Sequence, residues 1–339
     1  MILYDLTLAQ KSLLELKQFY KDTSISVLCG AIILDKHKDR EILMEAARLV
    51  LRKHQAMRLC FVEQDGAVKQ YVNEEYKEPV FEQFGSLDEM RAYADKLARV
   101  PHAIDGSFMY EMVVFEAEGR SGVILSTCHL ISDAWSFSVI ASDFIEFCGK
   151  LENGEEIDIV EQLYTDRLAN EEDYVSSGKY ARDEAFWLER YGNCTEKTIV
   201  RNSGNAGSIE ASRFVTHLGK EMKERIDSFL TENKISLTTL TETAVLIYLD
   251  RINPDNKSTT IGVPVLGRIS RYEKSTAGVY ISTIPLTVDI DGGLSVLDLL
   301  HEVSASHHKI YRHKRFSYNA LLKKLRGNGG KDRLYKIRL

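Results

Sequence analysis

A chain of 339 residues, 44% of them apolar and 28% charged, is too long for one ordinary core and implies about two domains. A net charge of −6 argues against a nucleic-acid groove, and no uninterrupted apolar run approaches the length of a membrane span. The five cysteines (Cys29, Cys60, Cys128, Cys148 and Cys194) are odd in number and show no CxxC spacing, which reads as reduced thiols in a cytoplasmic protein rather than disulfides or zinc ligands.

Met1 to Asp5 lacks the charged and apolar regions of a signal peptide. Thr7 to Tyr20 and Arg40 to Lys53 have helical periodicity, with Ser26 to Leu34 an apolar strand between them. Ser86-Leu87-Asp88-Glu89 has the form of a capping box and opens a helix that ends before Pro101. Met112 to Phe115 and Val123 to Ser126 are expected to be strands of one sheet, and Ala134 to Cys148 carries Ile140, Phe144 and Phe147 at helical spacing. Around Leu151 to Glu156 the chain turns polar and acidic, which places a domain boundary near residues 160 to 175.

The second half repeats the theme. Phe214 to Leu218 alternates like a strand, Lys220 to Glu232 reads as a helix, and Ser236 is a good N-cap for an apolar helix through Tyr248 and Ile252. Thr260 to Val265 is a strand before a turn at Gly267, and Val296 to Arg312 is another helix. The C-terminal cations Lys323, Lys324, Arg326, Lys331, Arg333, Lys336 and Arg338 read first as a solvated basic face and second as a surface that steers an acidic partner. Leu334 to Leu339 looks like a strand cut short, so the second domain is expected to be truncated.

The chemistry-bearing stretch is Cys128-His129-Leu130-Ile131-Ser132-Asp133-Ala134-Trp135-Ser136. His129 falls where the apolar strand ends, at a strand–loop–helix corner that can face a cleft. Imidazole is the one side chain that titrates near neutral pH without help, the profile of a general base for an amine, alcohol or thiol. A lone HxxxD also occurs by chance, and a histidine at a strand end is usually a satisfied polar group. His307 and His308 are adjacent on a predicted helix, point to different sides and read as exposed rather than as metal ligands. No Walker A loop, GxGxxG or HExxH occurs, so no nucleotide, nicotinamide or metal is expected in this chain.

This stretch resembles the HHxxxDG signature of the condensation domains of nonribosomal peptide synthetases and their acyltransferase relatives. His129 matches the functional second histidine and Asp133 the aspartate; Cys128 stands for the first histidine and Ala134 for the glycine. Other blocks follow in the family's order. Leu6 to Leu13 resembles the opening S-x-A-Q motif, and Lys53 to Phe61 resembles R-H-E-x-L-R-T-x-F. Pro101 to Gly106 sits at the P-F-D turn, and Tyr174 to Trp187 resembles D-Y-A…W. Gly278 to Leu286 resembles G-x-F-V-N-T-x-P-L with Ser282 for asparagine, and His313 to Tyr318 resembles the late H-Q block without its proline.

The resemblance implies an α+β fold, an α/β sandwich of two chloramphenicol-acetyltransferase-like lobes set in a V with the active-site tunnel between them. The lobes would span residues 1–165 and 175–339. It implies amide formation in which an acceptor aminoacyl amine attacks a donor acyl or peptidyl thioester, both carried on phosphopantetheine arms of carrier proteins. No cofactor is expected to be bound in the chain; the partners are carrier proteins and neighbouring synthetase domains, not nucleic acid or membrane. His129 would be the catalytic residue. Asp133 would pair with Arg58 to brace the loop that presents it, and Cys128, Ala134, Trp135 and Ser136 would be motif neighbours. Ser282 and Thr283 would line the tunnel or bridge the lobes. His54 and His313, inside family blocks, would be structural or at the tunnel edge. A first motif within ten residues of Met1 fits a starter domain that N-acylates a first amino acid, or a protein that takes its donor from another polypeptide. Two other readings stay open: a stand-alone acyltransferase using coenzyme A thioesters, and a catalytically degenerate carrier-binding module, the latter prompted by Cys128, Ala134 and Ser282.

Overall fold

The computed structural model describes residues 2–192, 211, 213–327 and 333–339, so Cys194 and Lys331 lie outside the described residues. The chain divides into two units: Met1–Ser176 with Arg268–Ile281, and Ser177–Gly267 with Ser282–Leu339. The expected halves were contiguous. Instead, a fourteen-residue segment from the second half belongs to the first unit, because its polar groups are consumed there by the loop that follows β6.

The first unit contains α1 (Leu8–Phe19), β1 (Val27–Ile33), α2 (Arg40–Lys53), the hairpin β2 (Leu59–Gln64) and β3 (Ala67–Val72), β4 (Val80–Phe84), α3 (Leu87–Leu97), β5 (Tyr110–Ala117), β6 (Arg120–Cys128), α4 (Ala134–Glu152) and α5 (Asp166–Val175). Its main sheet has the order β1-β6-β5-β4, with β6 antiparallel to both neighbours and β4 parallel to β5. Alternation along the strands sorts the two faces. Met112, Val114, Val123 and Leu125 pack with Ala47, Val50, Ile140 and Phe144 of α2 and α4, while Val113, Phe115 and Ile124 pack with Met90 of α3. The register pairs Val27 with Cys128, so the chain leaves the sheet at His129, beside the start of β1.

Local chemistry sets the helix starts. Asp39 caps α2 by accepting from the Glu41 N–H, and Ser86 caps α3 by accepting from Glu89 N. The box predicted at Ser86 closes only halfway. The Glu89 carboxylate accepts from Gly85 N instead, one residue before the cap.

The second unit contains α6 (Gly178–Tyr191), α7 (Lys220–Asn233), α8 (Leu237–Ile252), the antiparallel pair β7 (Thr259–Val265) and β8 (Ser282–Val288), and helices Val296–Tyr311 and Tyr318–Gly327. Trp187, Leu246, Leu249, Ile261, Val263, Ile284, Leu286 and Val303 form its core. Phe214 to Leu218 forms no strand: it finds no ladder partner among the described residues, and Phe214 is 92% exposed. The C-terminal segment joins β7 through one parallel bridge, Gly262 with Arg338, with Gly262 N donating to Ile337 O and Leu339 N to Gly262 O. Among its cations, Lys324 is paired with Glu184 at 2.7 Å. No helix among the described residues is long and apolar enough to cross a membrane.

Candidate active site

His129 is half-buried at the end of β6. Its backbone N–H donates to Ser26 O at 2.6 Å, which ties the strand end to the entry of β1. Its Nδ1 lies 2.7 Å from the carbonyl oxygen of Ser132. A carbonyl only accepts, so Nδ1 carries the hydrogen of that bond. In the neutral ring the lone pair is then on Nε2, which has no hydrogen-bond partner among the described residues. The geometry therefore leaves an oriented proton acceptor, the requirement for a general base.

Asp133, four residues on, begins α4 as its N-cap and closes a capping box with Ser136. Its Oδ1 accepts from Ser136 N at 2.9 Å, Ser136 Oγ at 2.8 Å and Arg268 Nη2 at 3.1 Å. Its Oδ2 accepts from Arg268 Nη1 at 2.7 Å, Tyr280 N at 3.0 Å and Ile281 N at 3.2 Å. Burial alone would push this carboxyl up. The Arg268 hydrogen bonds and charge outweigh it and hold the group below its ordinary value of 3.8. A buried carboxylate with so many donors is a fixed anchor, not a proton carrier.

The expected partner of Asp133 was Arg58, and the structure corrects this. Arg58 forms an ion pair with Glu161 and donates to the carbonyl oxygens of Asn73 and Glu74. Arg58 lies at the start of β2, whereas Asp133 is met by Arg268, whose side chain is fully enclosed. Arg268 also donates through Nε to Glu273 O at 3.0 Å and through Nη2 to Gly278 O at 3.1 Å, and its guanidinium lies 4.2 Å from the centre of the Tyr280 ring. The segment Arg268–Ile281 is thus wound around its own arginine and pinned to the loop after His129. Sequence reasoning missed Arg268, because an arginine that follows Gly267 at a strand end carries no periodicity that marks it as buried.

Gly278 permits this winding. Its φ is +144°, and a Cβ there would sit 2.2 Å from the Tyr164 ring. Ser136 joins the same knot by accepting from Gly278 N at 3.0 Å. Trp135 is 41% exposed and donates from Nε1 to Lys274 O at 2.8 Å. Ala134 is exposed, is the first residue of α4 and is absent from the positive-φ positions, so the backbone makes no demand for glycine there. Cys128 is fully buried, and burial pushes its thiol above 9.0, which removes it as a thiolate nucleophile at neutral pH. Ser282 and Thr283 open β8 in the second unit, paired with Val265 and Pro264.

The other histidines of interest are held by carboxylates. His54 is fully buried with Nε2 2.8 Å from Asp143, and His313 pairs with Asp183 at 2.8 Å while stacking on Phe186. His307 is corrected from exposed to half-buried: its Nδ1 lies 2.9 Å from Glu242, a buried carboxylate that draws the ring down onto α8. His308 is exposed. Among the described residues no cluster of three or more His, Cys, Asp or Glu side chains could hold a metal ion.

The condensation-domain family matches residues 3–336. Surfactin synthase subunit 1 of Bacillus subtilis (strain 168) is 26% identical over 336 residues, which is 95% of this chain and 9% of that protein. Tyrocidine synthase 3 of Brevibacillus parabrevis is 23% identical over 327 residues, covering 95% of this chain and 5% of that protein. The chain thus corresponds to a small part of each of these relatives. Among solved structures, the first condensation domain of the calcium-dependent antibiotic synthetase in complex with a substrate analogue superposes with a TM-score of 0.85 at 20% identity, over 99% of this chain and 81% of that one. A variant of the starter condensation domain of rhizomide synthetase in complex with C8-CoA gives a TM-score of 0.87 at 20% identity, over 99% of this chain and 78% of that one. These likenesses give the fold, the chloramphenicol-acetyltransferase-like fold of condensation domains, and the family match extends over nearly every residue. The chain belongs to the condensation-domain family.

Proposed function

We propose that this domain joins a carrier-bound acyl or peptidyl thioester to the amine of an acceptor aminoacyl group, forming an amide and releasing the donor carrier's thiol. His129 Nε2 takes the proton from the acceptor nitrogen as that nitrogen attacks the thioester carbonyl. The observation that carries this reading is the Nδ1–Ser132 O hydrogen bond, which commits the neutral ring to a lone pair on Nε2. Holding two tethered reactants in register contributes as much as proton transfer: orientation alone is worth about 7–11 kcal/mol in favourable cases. Asp133 does no chemistry here. It fixes the loop, and Arg268 fixes Asp133.

The substrates arrive on phosphopantetheine arms, so the partners are carrier proteins and adjoining synthetase domains. Ser282 and Thr283 are assigned to the substrate path from their place in the block that resembles G-x-F-V-N-T-x-P-L. The donor is proposed to be a fatty acyl group, as for a starter domain. That choice is favoured by the likeness to a starter condensation domain solved with C8-CoA. A degenerate module is disfavoured by the complete set of donors on Asp133 and by the ordinary helical backbone at Ala134.

The test supplies the chain with an octanoyl-loaded carrier and an aminoacyl-loaded carrier, with mass spectrometry of the acceptor carrier as readout. The proposal expects N-acylated aminoacyl carrier as product. Product only from the coenzyme A thioester and a free amine would make the domain a stand-alone acyltransferase. Carrier binding with no product from either donor would make it a binding module.

A further inference from the structure

Between His129 and Asp133 the chain runs through Leu130, Ile131 and Ser132, all fully buried. The ends of this loop are held by Ser26 O on the His129 N–H and by Arg268 on Asp133. Its middle is held from the start of the chain. Gln10, on the first turn of α1, donates from Nε2 to Leu130 O at 3.0 Å.

Gln10 is itself fixed on every polar atom. Nε2 also donates to Gln70 Oε1 at 2.8 Å, and Oε1 accepts from Thr7 N at 2.9 Å and from Gln70 Nε2 at 3.0 Å. Gln70, on β3, uses its remaining N–H on Asp5 O at 2.8 Å, and its backbone exchanges hydrogen bonds with Tyr4. Both glutamines are fully buried. A primary amide has two N–H donors and one carbonyl, and in this pair each is used.

We propose that Gln10, locked by Gln70, is a positioning residue for His129. The Leu130 carbonyl belongs to the second residue of the turn that His129 opens, so its location sets how the ring meets Ser132 O and where Nε2 points. Gln10 does not touch the reacting atoms; it acts through Leu130 on the geometry of the base. Thr7 and Gln10 form the capping box of α1, so one amide serves both as the helix start and as the loop clamp. The proposal rests on the reading of His129 as the proton acceptor in amide formation.

The test uses the full chain with Gln10→Leu, Gln70→Leu and the double variant, each measured for stability, steady-state kinetics with loaded carriers, and the side-chain nitrogen spectrum of His129. Gln10→Leu strands Leu130 O and the Gln70 amide. The expected result is a fall in kcat of about 100-fold, the scale for a misplacement of roughly 1 Å, with KM for both carriers unchanged. Gln70→Leu keeps the clamp and loses less. In the double variant the two buried amides vanish together, so stability recovers relative to Gln10→Leu while kcat does not. If Gln10→Leu fails to fold, the double variant carries the comparison. Rates that follow stability across the series, or wild-type kcat in Gln10→Leu or in the double variant, would overturn the proposal.

The nitrogen spectrum needs no turnover. Wild type should show the neutral ring protonated at Nδ1, and Gln10→Leu should mix tautomers; an unchanged pattern overturns the proposal. A changed tautomer in Gln10→Leu, alongside a wild-type protein that makes no amide, would keep Gln10 as the positioning residue and reject amide formation instead.

Discussion

Asp133 and Arg268, 135 residues apart in sequence, are joined by two hydrogen bonds of 2.7 and 3.1 Å, with both side chains shut away from solvent. A two-point contact of this kind fixes orientation as well as distance, which a lysine cannot reproduce. It ties the segment Arg268–Ile281 to the loop that carries His129, and so makes part of the second half of the chain a support of that loop.

Removing the arginine leaves a buried carboxylate with its charge uncompensated. Arg268→Met is expected to lower the unfolding free energy by about 3–5 kcal/mol, the cost of breaking a buried pair from one side. Arg268→Lys should recover only part of that. Equilibrium urea unfolding, followed by tryptophan fluorescence, checks both, and a loss below about 1 kcal/mol for Arg268→Met would contradict the anchoring role.

Gly278 carries the same segment through a conformation open to few residues. With a φ of +144° and the Tyr164 ring where a Cβ would go, Gly278→Ala is expected to cost about 1–3 kcal/mol from the backbone alone. It should also withdraw the Tyr280 and Ile281 N–H groups from Asp133, so amide formation should fall with it. Thermal melts and a turnover assay on the same sample read both effects.

The fold's stability should respond to acid in two windows. Burial lowers His54 and His102 below their ordinary 6.5, so the unfolded chain binds protons there before the folded one does. Their contribution is complete above pH 6.5 and is lost as the pH falls through their folded values. Asp133 and Asp143 are held below 3.8, so theirs is complete above that pH and lost only on stronger acidification. Denaturant midpoints measured from pH 8 to 3 should fall below pH 6.5 and fall again below 4, and His54→Gln should flatten the first decline.

The thiols give a simpler check. Burial raises Cys29, Cys60, Cys128 and Cys148 above 9.0, and of these only Cys29 is partly exposed. Iodoacetamide should label Cys29 first among them and reach Cys128 only on unfolding. Cys128→Ala should keep the proposed amide formation within about threefold of wild type, as expected for a fully buried thiol that the proposed reaction does not use.

Much of the first unit was legible from residue pattern. The predicted helix Arg40–Lys53 and the strands before His129 have long apolar stripes, and burial of a stripe leaves little choice of partner face. Two features escaped for different reasons. Phe214 to Leu218 alternates like a strand, but alternation describes a surface ready for a neighbour and does not supply one. Arg58 was matched to Asp133 through the family's motif order, whereas the partner actually present, Arg268, sits in a segment without periodicity and is buried by hydrogen bonds rather than by apolar character. The site's histidine and aspartate could be read from the motif; what holds them is long-range, and long-range pairing leaves no local trace.

The most direct test of the account is amide formation by His129→Ala against wild type, with octanoyl- and aminoacyl-loaded carriers and with unfolding curves recorded on both proteins. His129 lies outside the Asp133–Arg268 anchor, so the variant should fold with wild-type stability and lose product formation by at least about 100-fold, the lower range for removing a general base. Equal product from both proteins would contradict His129 as the reacting base, and the absence of product from wild type would contradict the proposed reaction.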